Sequence, residues 1–182
     1  MNNLKISTRL SGAFALLVLM LLGLAVAAMA QLSAMRAATS EITDKWMPSI
    51  EAIGAIAEQA GQTRIFIARH VMNTDIAAMG KMDQQVESAR SRFISLRKAY
   101  EPLMSTAEEK KVYEEFSATW KKYIEVNDKL LTHSRKNENE QATAIFETES
   151  FALFQATKGL LDQMVKLNED GYAPIKDQLA EI

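Results

Sequence analysis

A long stretch without charge near the N-terminus constrains this chain more than any other feature. No charged residue occurs from Leu10 to Met35, and residues 12–30 are apolar or small throughout. A helix rises about 1.5 Å per residue, so these 19 positions span roughly 28 Å, close to the hydrocarbon thickness of a bilayer. The sequence therefore predicts one transmembrane helix over residues 10–30.

The charges before this stretch predict its orientation. Lys5 and Arg9 precede it with no acidic residue beside them, which indicates that residues 1–9 form a cytoplasmic tail. A cleaved signal peptide is the alternative, because Ala28-Met29-Ala30 is similar to a cleavage site, but its apolar region would exceed the usual 7–15 residues. We favour an uncleaved inner-membrane anchor. Either interpretation places residues 31–182 outside the cytoplasm, as a periplasmic domain.

The remaining residues predict four amphipathic helices. Apolar positions recur at steps of three and four, and no strand-like alternation bounded by turn signals is present. The first helix is expected to end near Asn73, the second at Pro102, and the third to begin after an N-cap at Ser105 or Thr106. A polar turn over residues 134–141 precedes the fourth. The predicted core positions are Trp46, Ile50, Ile53, Ala57, Ala60, Ile67 and Val71; Met79, Met82, Val86, Ala89, Phe93, Leu96 and Tyr100; Val112 or Tyr113, Phe116, Trp120, Tyr123, Asn127 and Leu130; Phe151, Phe154, Lys158, Leu161, Val165, Asn168, Tyr172, Ile175, Leu179 and Ile182.

Four such stripes joined by short connections predict an all-α fold, an antiparallel up-down-up-down four-helix bundle that follows the N-terminal transmembrane helix. The fourth stripe is still in phase at Ile182. We therefore expect the natural protein to continue, through a second transmembrane span, into a part that this sequence lacks.

The composition argues against several classes of chemistry. The chain has no cysteine, and neither His70 nor His133 follows a glutamate by three residues, as a di-iron bundle requires. Glycine-rich phosphate loops, serine elbows and zinc signatures are missing from the sequence. Beyond residue 30 there are 19 basic and 23 acidic residues, which does not suit a duplex-binding surface. We expect no catalytic residues, no metal, no cofactor and no nucleic-acid partner.

Arg64 is the residue that the pattern does not accommodate. It falls within the apolar stripe of the first helix, between Ala60 and Ile67, where an unpaired charge costs several kcal/mol. It therefore needs an acid on a neighbouring helix, an extended path to solvent, or a polar cavity or second subunit that contains a ligand. The pattern leaves these structural and ligand-binding roles open.

Arg69 lies about 140° around the helix axis from Arg64. It shares a polar line with Glu51, Glu58 and Gln62, which by itself favours a solvated face. One helix cannot easily present both arginines to one ligand, whereas two copies related by a dimer axis can.

Several segments give the chain a family resemblance. The order of tail, anchor, long helix and bundle resembles the N-terminal half of methyl-accepting chemotaxis proteins with a four-helix-bundle sensor domain. The most specific segment, residues 62–69, is similar to the first-helix ligand segment of the aspartate chemoreceptor class, with two arginines at a spacing of five. Other matching segments are Lys45-Trp46-Met47-Pro48-Ser49-Ile50, residues 108–123 with Trp120-Lys121-Lys122-Tyr123, and Ser134-Arg135-Lys136-Asn137.

The resemblance implies a ligand site between two subunits, with Arg64 of one and Arg69 of the other holding carboxylates and Thr63 beside them. The aspartate receptor has a third arginine where this chain has Asn73, so aspartate specificity does not transfer, and Asn73 becomes the candidate ligand residue at that position. The family's threonine at the start of the fourth helix corresponds to Thr148 or Ser150. What remains is carboxylate recognition by guanidinium, hydroxyl and amide groups.

The sequence thus predicts the sensory domain of a homodimeric chemoreceptor that binds a small organic acid, a di- or tricarboxylate or an amino acid, and is not an enzyme. The resemblance implies that the absent signalling half acts on a cytoplasmic kinase complex. Two alternatives remain: a sensor of a histidine kinase or cyclic-dinucleotide enzyme, and a passive module that docks a periplasmic binding protein.

Overall fold

The computed structural model describes residues 5–180, apart from the side chain of Gln178. Helix α1 runs over Ile6–Val71, with a π-helical turn at Ile42–Trp46. Helix α2 is Ile76–Tyr100, followed by a 3-10 turn at Glu101–Leu103, and α3 is Ala107–Ser134. Helix α4 covers residues 139–180 and consists of Asn139–Ile145, a second π turn at Phe146–Ser150, and Phe151–Ala180.

The four helices pack as an antiparallel bundle, which confirms the predicted all-α fold. The closest pairs are α1 with α2 and α3 with α4, and α1 also packs against α4. No β-strand occurs within residues 5–180. The N-terminal part of α1, Ile6–Glu41, has no buried residue. It contains an 18-residue window of mean hydropathy 2.7, long and apolar enough to cross a membrane.

The core is rich in aromatic side chains from α2 and α3. Phe93 stacks on Trp120 with ring centroids 3.9 Å apart and planes 16° apart. Phe116 and Tyr123 extend this stack along α3, and both are fully buried. Aromatic groups bury large apolar areas and pack in defined geometries, so they fix the register between α2 and α3.

The helix ends agree closely with the expected turn and capping residues. The carboxylate of Asp75 accepts the Ala77 N–H and caps α2, and the Thr106 hydroxyl accepts the Glu109 N–H and caps α3. Helix α1 ends at Val71, two residues before the expected end. The predicted turn over residues 134–141 was too long, because α4 already begins at Asn139, after Asn137 adopts a positive φ of 57°.

The predicted stripes of α1 and α4 were partly wrong. Ala57, Phe151 and Lys158 are exposed, although the periodicity placed them in the core. In their place the bundle buries Thr63 and Thr157, whose hydroxyls bond the carbonyl four residues earlier in their own helix. A hydroxyl satisfied in this way can be buried at little cost, and a pattern that counts only apolar residues misses it.

Candidate functional site

Arg64 lies half-buried between α1 and the start of α4. Its Nη1 donates to Ser150 Oγ at 3.3 Å, and its Nη2 donates to the carbonyl oxygen of Phe146 at 3.4 Å. The guanidinium carbon lies 4.0 Å from the ring centroid of Phe146 and 5.1 Å from that of Phe154. The charge therefore rests on aromatic faces, where cation–π attraction stabilises it by about 0.5–2 kcal/mol.

The π turn at Phe146–Ser150 supplies both acceptors of Arg64. A π turn widens the helix by one residue and changes the direction of the side chains that follow it. In this bundle it turns Ser150 into the interior while Phe151 remains exposed. Such turns occur often at functional positions in helices.

No carboxylate forms an ion pair with Arg64 among residues 5–180, and the ion pairs of that part of the chain involve other groups. One of the alternatives left open for Arg64, an acid on a neighbouring helix, is therefore not found within residues 5–180. Both hydrogen bonds of the guanidinium go to neutral oxygens and are long. A positive charge held only by neutral groups is suited to bind an anion.

A buried polar layer lies behind Arg64. The Ser150 hydroxyl donates to Asn127 Oδ1 at 2.9 Å, and Asn127 Nδ2 donates to the Tyr123 carbonyl oxygen at 2.6 Å. The Tyr123 hydroxyl is buried and has no hydrogen-bond partner in the described part of the protein. Burial raises the pKa of Tyr123, and the neighbouring Arg64 opposes that rise. The sequence placed Tyr123 and Asn127 in the core but did not assign them to a site.

The other predicted ligand residues do not gather around Arg64 in one protomer. Arg69 is exposed, and Thr63 is buried with its hydroxyl on Gln59 O. Asn73 lies in the turn between α1 and α2, where its Oδ1 accepts the Asp75 N–H at 2.9 Å. Thr148 is exposed and its hydroxyl bonds Ala144 O. Of the six predicted residues, the structure brings together Arg64 and Ser150.

A second polar cluster joins α1, α2 and α3 at the end of the bundle where α1 stops. His70 is fully buried, with Nδ1 2.8 Å from Ser134 Oγ and Nε2 3.3 Å from Asp83 Oδ1. The Ser134 hydroxyl donates to the His70 carbonyl oxygen at 3.0 Å. Burial lowers the pKa of His70, whereas the hydrogen bond from Arg135 lowers the pKa of Asp83.

A third cluster surrounds the buried carboxylate of Glu109 at the opposite end. It accepts hydrogen bonds from the Tyr100 hydroxyl, the Ser105 N–H and Asn168 Nδ2, so that α2, α3 and α4 meet at one side chain. A carboxylate with several donors can be buried without a cation. Among the described residues, no group of three or more His, Cys, Asp or Glu side chains is arranged to hold a metal ion.

These features define a four-helix bundle that extends from an apolar, unburied helix, with polar clusters that connect its helices. Residues 3–178 match the family described as the four helix bundle sensory module for signal transduction. The chain belongs to this family, which confirms the predicted resemblance to the sensory half of methyl-accepting chemotaxis proteins.

The chain is also similar to a curated protein of Bacillus subtilis (strain 168), named "Putative sensory transducer protein YvaQ". The two are 24% identical over 133 residues, which is 73% of this chain but 23% of the relative. The chain thus spans less than a quarter of the length of that relative.

Proposed function

We propose that the chain is the ligand-binding part of a membrane chemoreceptor, and that it binds a small organic acid through Arg64. The observation that carries this proposal is the guanidinium of Arg64, which is half-buried and held by Ser150, the Phe146 carbonyl and aromatic rings instead of a carboxylate. A carboxylate ligand would supply the missing negative charge with bidentate geometry.

A second subunit would complete the site. Arg69 and Ile65 are exposed on α1, Ile65 by 51%, and Met72 at the end of the helix is exposed by 76%. Exposed apolar side chains that lie close together favour contact with another protein surface. We propose that two copies associate along α1, so that Arg69 of the second copy approaches the ligand held by Arg64. Ile56 of α1 does not belong to this surface, because it is fully buried in its own bundle.

Ligand binding can bias the position of α4. The acceptors that Arg64 uses in this structure, Ser150 and the Phe146 carbonyl, both belong to α4. A carboxylate that engages the guanidinium competes with those contacts and favours a different position of the helix. From Ser150 the helix continues to Ala180, roughly 45 Å at 1.5 Å per residue, which is long enough to carry the shift toward a membrane. We propose that an attached signalling domain receives this shift.

A thermal-shift and calorimetry screen of the purified chain against succinate, malate, citrate and aspartate tests the proposal. A specific acid at 100 times its Kd should stabilise the domain by about 2.7 kcal/mol. Arg64→Ala and Arg69→Ala should each weaken binding by about 2–5 kcal/mol. Arg64→Lys should also bind weakly, because it retains the charge but loses the planar fork.

Arg92→Ala is the matched control, since Arg92 is an exposed arginine on α2 and its removal changes the net charge equally. It should bind like the original chain. Full binding by Arg64→Ala, or no stabilisation by any of the four acids, would contradict the proposal. Sedimentation that shows a monomer both with and without a bound acid would contradict the two-subunit arrangement.

A further inference from the structure

The buried hydroxyl of Tyr123 indicates that the Arg64 site has a second, inner layer. Tyr123 is fully buried on α3, and its hydroxyl has no hydrogen-bond partner within residues 5–180. Leaving a buried hydroxyl unsatisfied costs about 1–3 kcal/mol, so the position of this group needs an explanation. Phenylalanine would fill the same volume without that cost.

The surroundings of this hydroxyl belong to the Arg64 site. Arg64, Asn127 and Ser150 all act on the pKa of Tyr123, in the direction that opposes the effect of burial, and the Tyr123 ring contacts Phe154 with centroids 6.0 Å apart. Phe154 also lies under the Arg64 guanidinium. Tyr123 of α3 and Arg64 of α1 therefore contact the same ring of α4, that of Phe154.

The hydrogen-bond directions leave several donors around Arg64 and Tyr123 without an acceptor. Ser150 gives its proton to Asn127 Oδ1, and one Asn127 N–H is used by the Tyr123 carbonyl. Within residues 5–180 the Tyr123 hydroxyl has no acceptor for its proton, and Arg64 uses two of its five N–H groups. A group that enters here has to accept hydrogen bonds.

We infer that Tyr123 is a ligand-binding residue whose hydroxyl donates to the carboxylate held by Arg64, and that this inner layer selects a carboxylate head group. The inference rests on the proposed function and specifies its chemistry. A carboxylate has two oxygens with about four acceptor positions, so it can satisfy the guanidinium and the phenol together. An ammonium group only donates and finds no carboxylate among the contacts described for this site, so an amino acid would bind by its carboxylate end.

The hydrogen bonds that Arg64 donates to Ser150 and the Phe146 carbonyl are long, so a carboxylate can replace these two acceptors. At 3.3 and 3.4 Å they are weaker than a charge-assisted bond of about 2.7–2.9 Å, so a carboxylate that replaces Ser150 and the Phe146 carbonyl gains by the exchange. Phe151 is 45% exposed next to the guanidinium and provides an apolar surface for the carbon body of the acid.

Tyr123→Phe tests the inference, because it removes the hydroxyl and little else. With whichever of succinate, malate, citrate and aspartate binds the original chain best, we expect Kd to rise about 10- to 100-fold, as for a lost hydrogen bond to a charged group. The melting temperature without ligand should stay the same or rise, since an unsatisfied buried hydroxyl is removed.

Tyr113→Phe is the control, because the Tyr113 hydroxyl is already bonded to Glu101 and Arg97 away from the site. It should lower stability and leave Kd unchanged. If Tyr123→Phe binds the acid normally while Arg64→Ala does not, the inference is wrong and the proposed function stands. If Arg64→Ala also binds normally, or none of the four acids binds, both are wrong.

Discussion

The indole ring of Trp46 lies directly against the backbone of Gly171. Trp46 is the last residue of the π turn of α1, and Gly171 lies in the last third of α4. A methyl group placed on Gly171 would overlap the ring. Trp46 is 6% exposed, so this contact closes the bundle at the end nearest the apolar part of α1. Glycine is required here because it allows close approach of a helix backbone to an aromatic ring.

Gly171→Ala should therefore destabilise the protein by about 1–3 kcal/mol, the usual cost of overpacking. The matched control is Gly159→Ala in the same helix, where an added methyl group meets nothing within 4 Å. That change should stabilise the protein by about 0.4–1 kcal/mol, because alanine favours the helix and restricts the unfolded chain. Urea unfolding measures both, and a stable Gly171→Ala variant would contradict the packing described.

Glu109→Ala should lower the free energy of unfolding by more than a substitution on an exposed helix surface does. Its carboxylate is 2% exposed and accepts bonds from Tyr100, Ser105 and Asn168, which would lose their acceptor together. We expect a loss of about 3–5 kcal/mol, as for breaking a buried charged network. Glu108→Ala, at the exposed neighbouring position, should cost about 1 kcal/mol or less, the contribution of an acid near a helix N-terminus. Equal losses in the two variants would show that the network contributes little.

The stability of the bundle should fall as the pH decreases from 7.5 to 5. Burial lowers the pKa of His70 below its ordinary value of 6.5, so the unfolded chain binds a proton that the folded chain resists. The free energy of unfolding therefore has its full value above pH 6.5. It decreases as the pH falls from 6.5 toward the pKa of His70 in the folded protein, by up to about 1.4 kcal/mol per pH unit. Asp83 affects stability only at lower pH. Because its pKa is lowered in the folded protein, its contribution to the free energy of unfolding decreases only below its ordinary pKa of 3.8. Urea unfolding at several pH values should show a flatter dependence for His70→Gln, and an identical slope would contradict the assignment.

The apolar helix predicts firm membrane attachment. We expect the protein to keep its N-terminus and to remain in the membrane fraction after an alkaline carbonate wash, because residues 10–30 would lose their hydrophobic contact with lipid on release. The same chain without residues 1–35 should move to the soluble fraction. N-terminal sequencing that begins at Gln31 would show a cleaved signal peptide instead.

Much of the fold could be predicted from residue order alone. The helix-capping residue Thr106 and the aromatic stripe of α3 are local signals, because a cap acts within three residues and a helical period repeats every turn. The sequence also determined that Arg64 is exceptional, since a charge within an apolar stripe violates the pattern without any knowledge of its neighbours.

Tertiary structure decided what surrounds Arg64. Periodicity gave no sign of the π turn at Phe146–Ser150, whose extra residue turns Ser150 inward and leaves Phe151 exposed. It also could not show that Tyr123, 59 residues away in the chain, packs from α3 against the Phe154 ring that also contacts Arg64. The sequence determines which face of each helix is mainly apolar, because a face consists of residues three and four positions apart in the same helix. Which polar atoms meet across the faces depends on the rotation and offset of packed helices, and only the packed bundle fixes these.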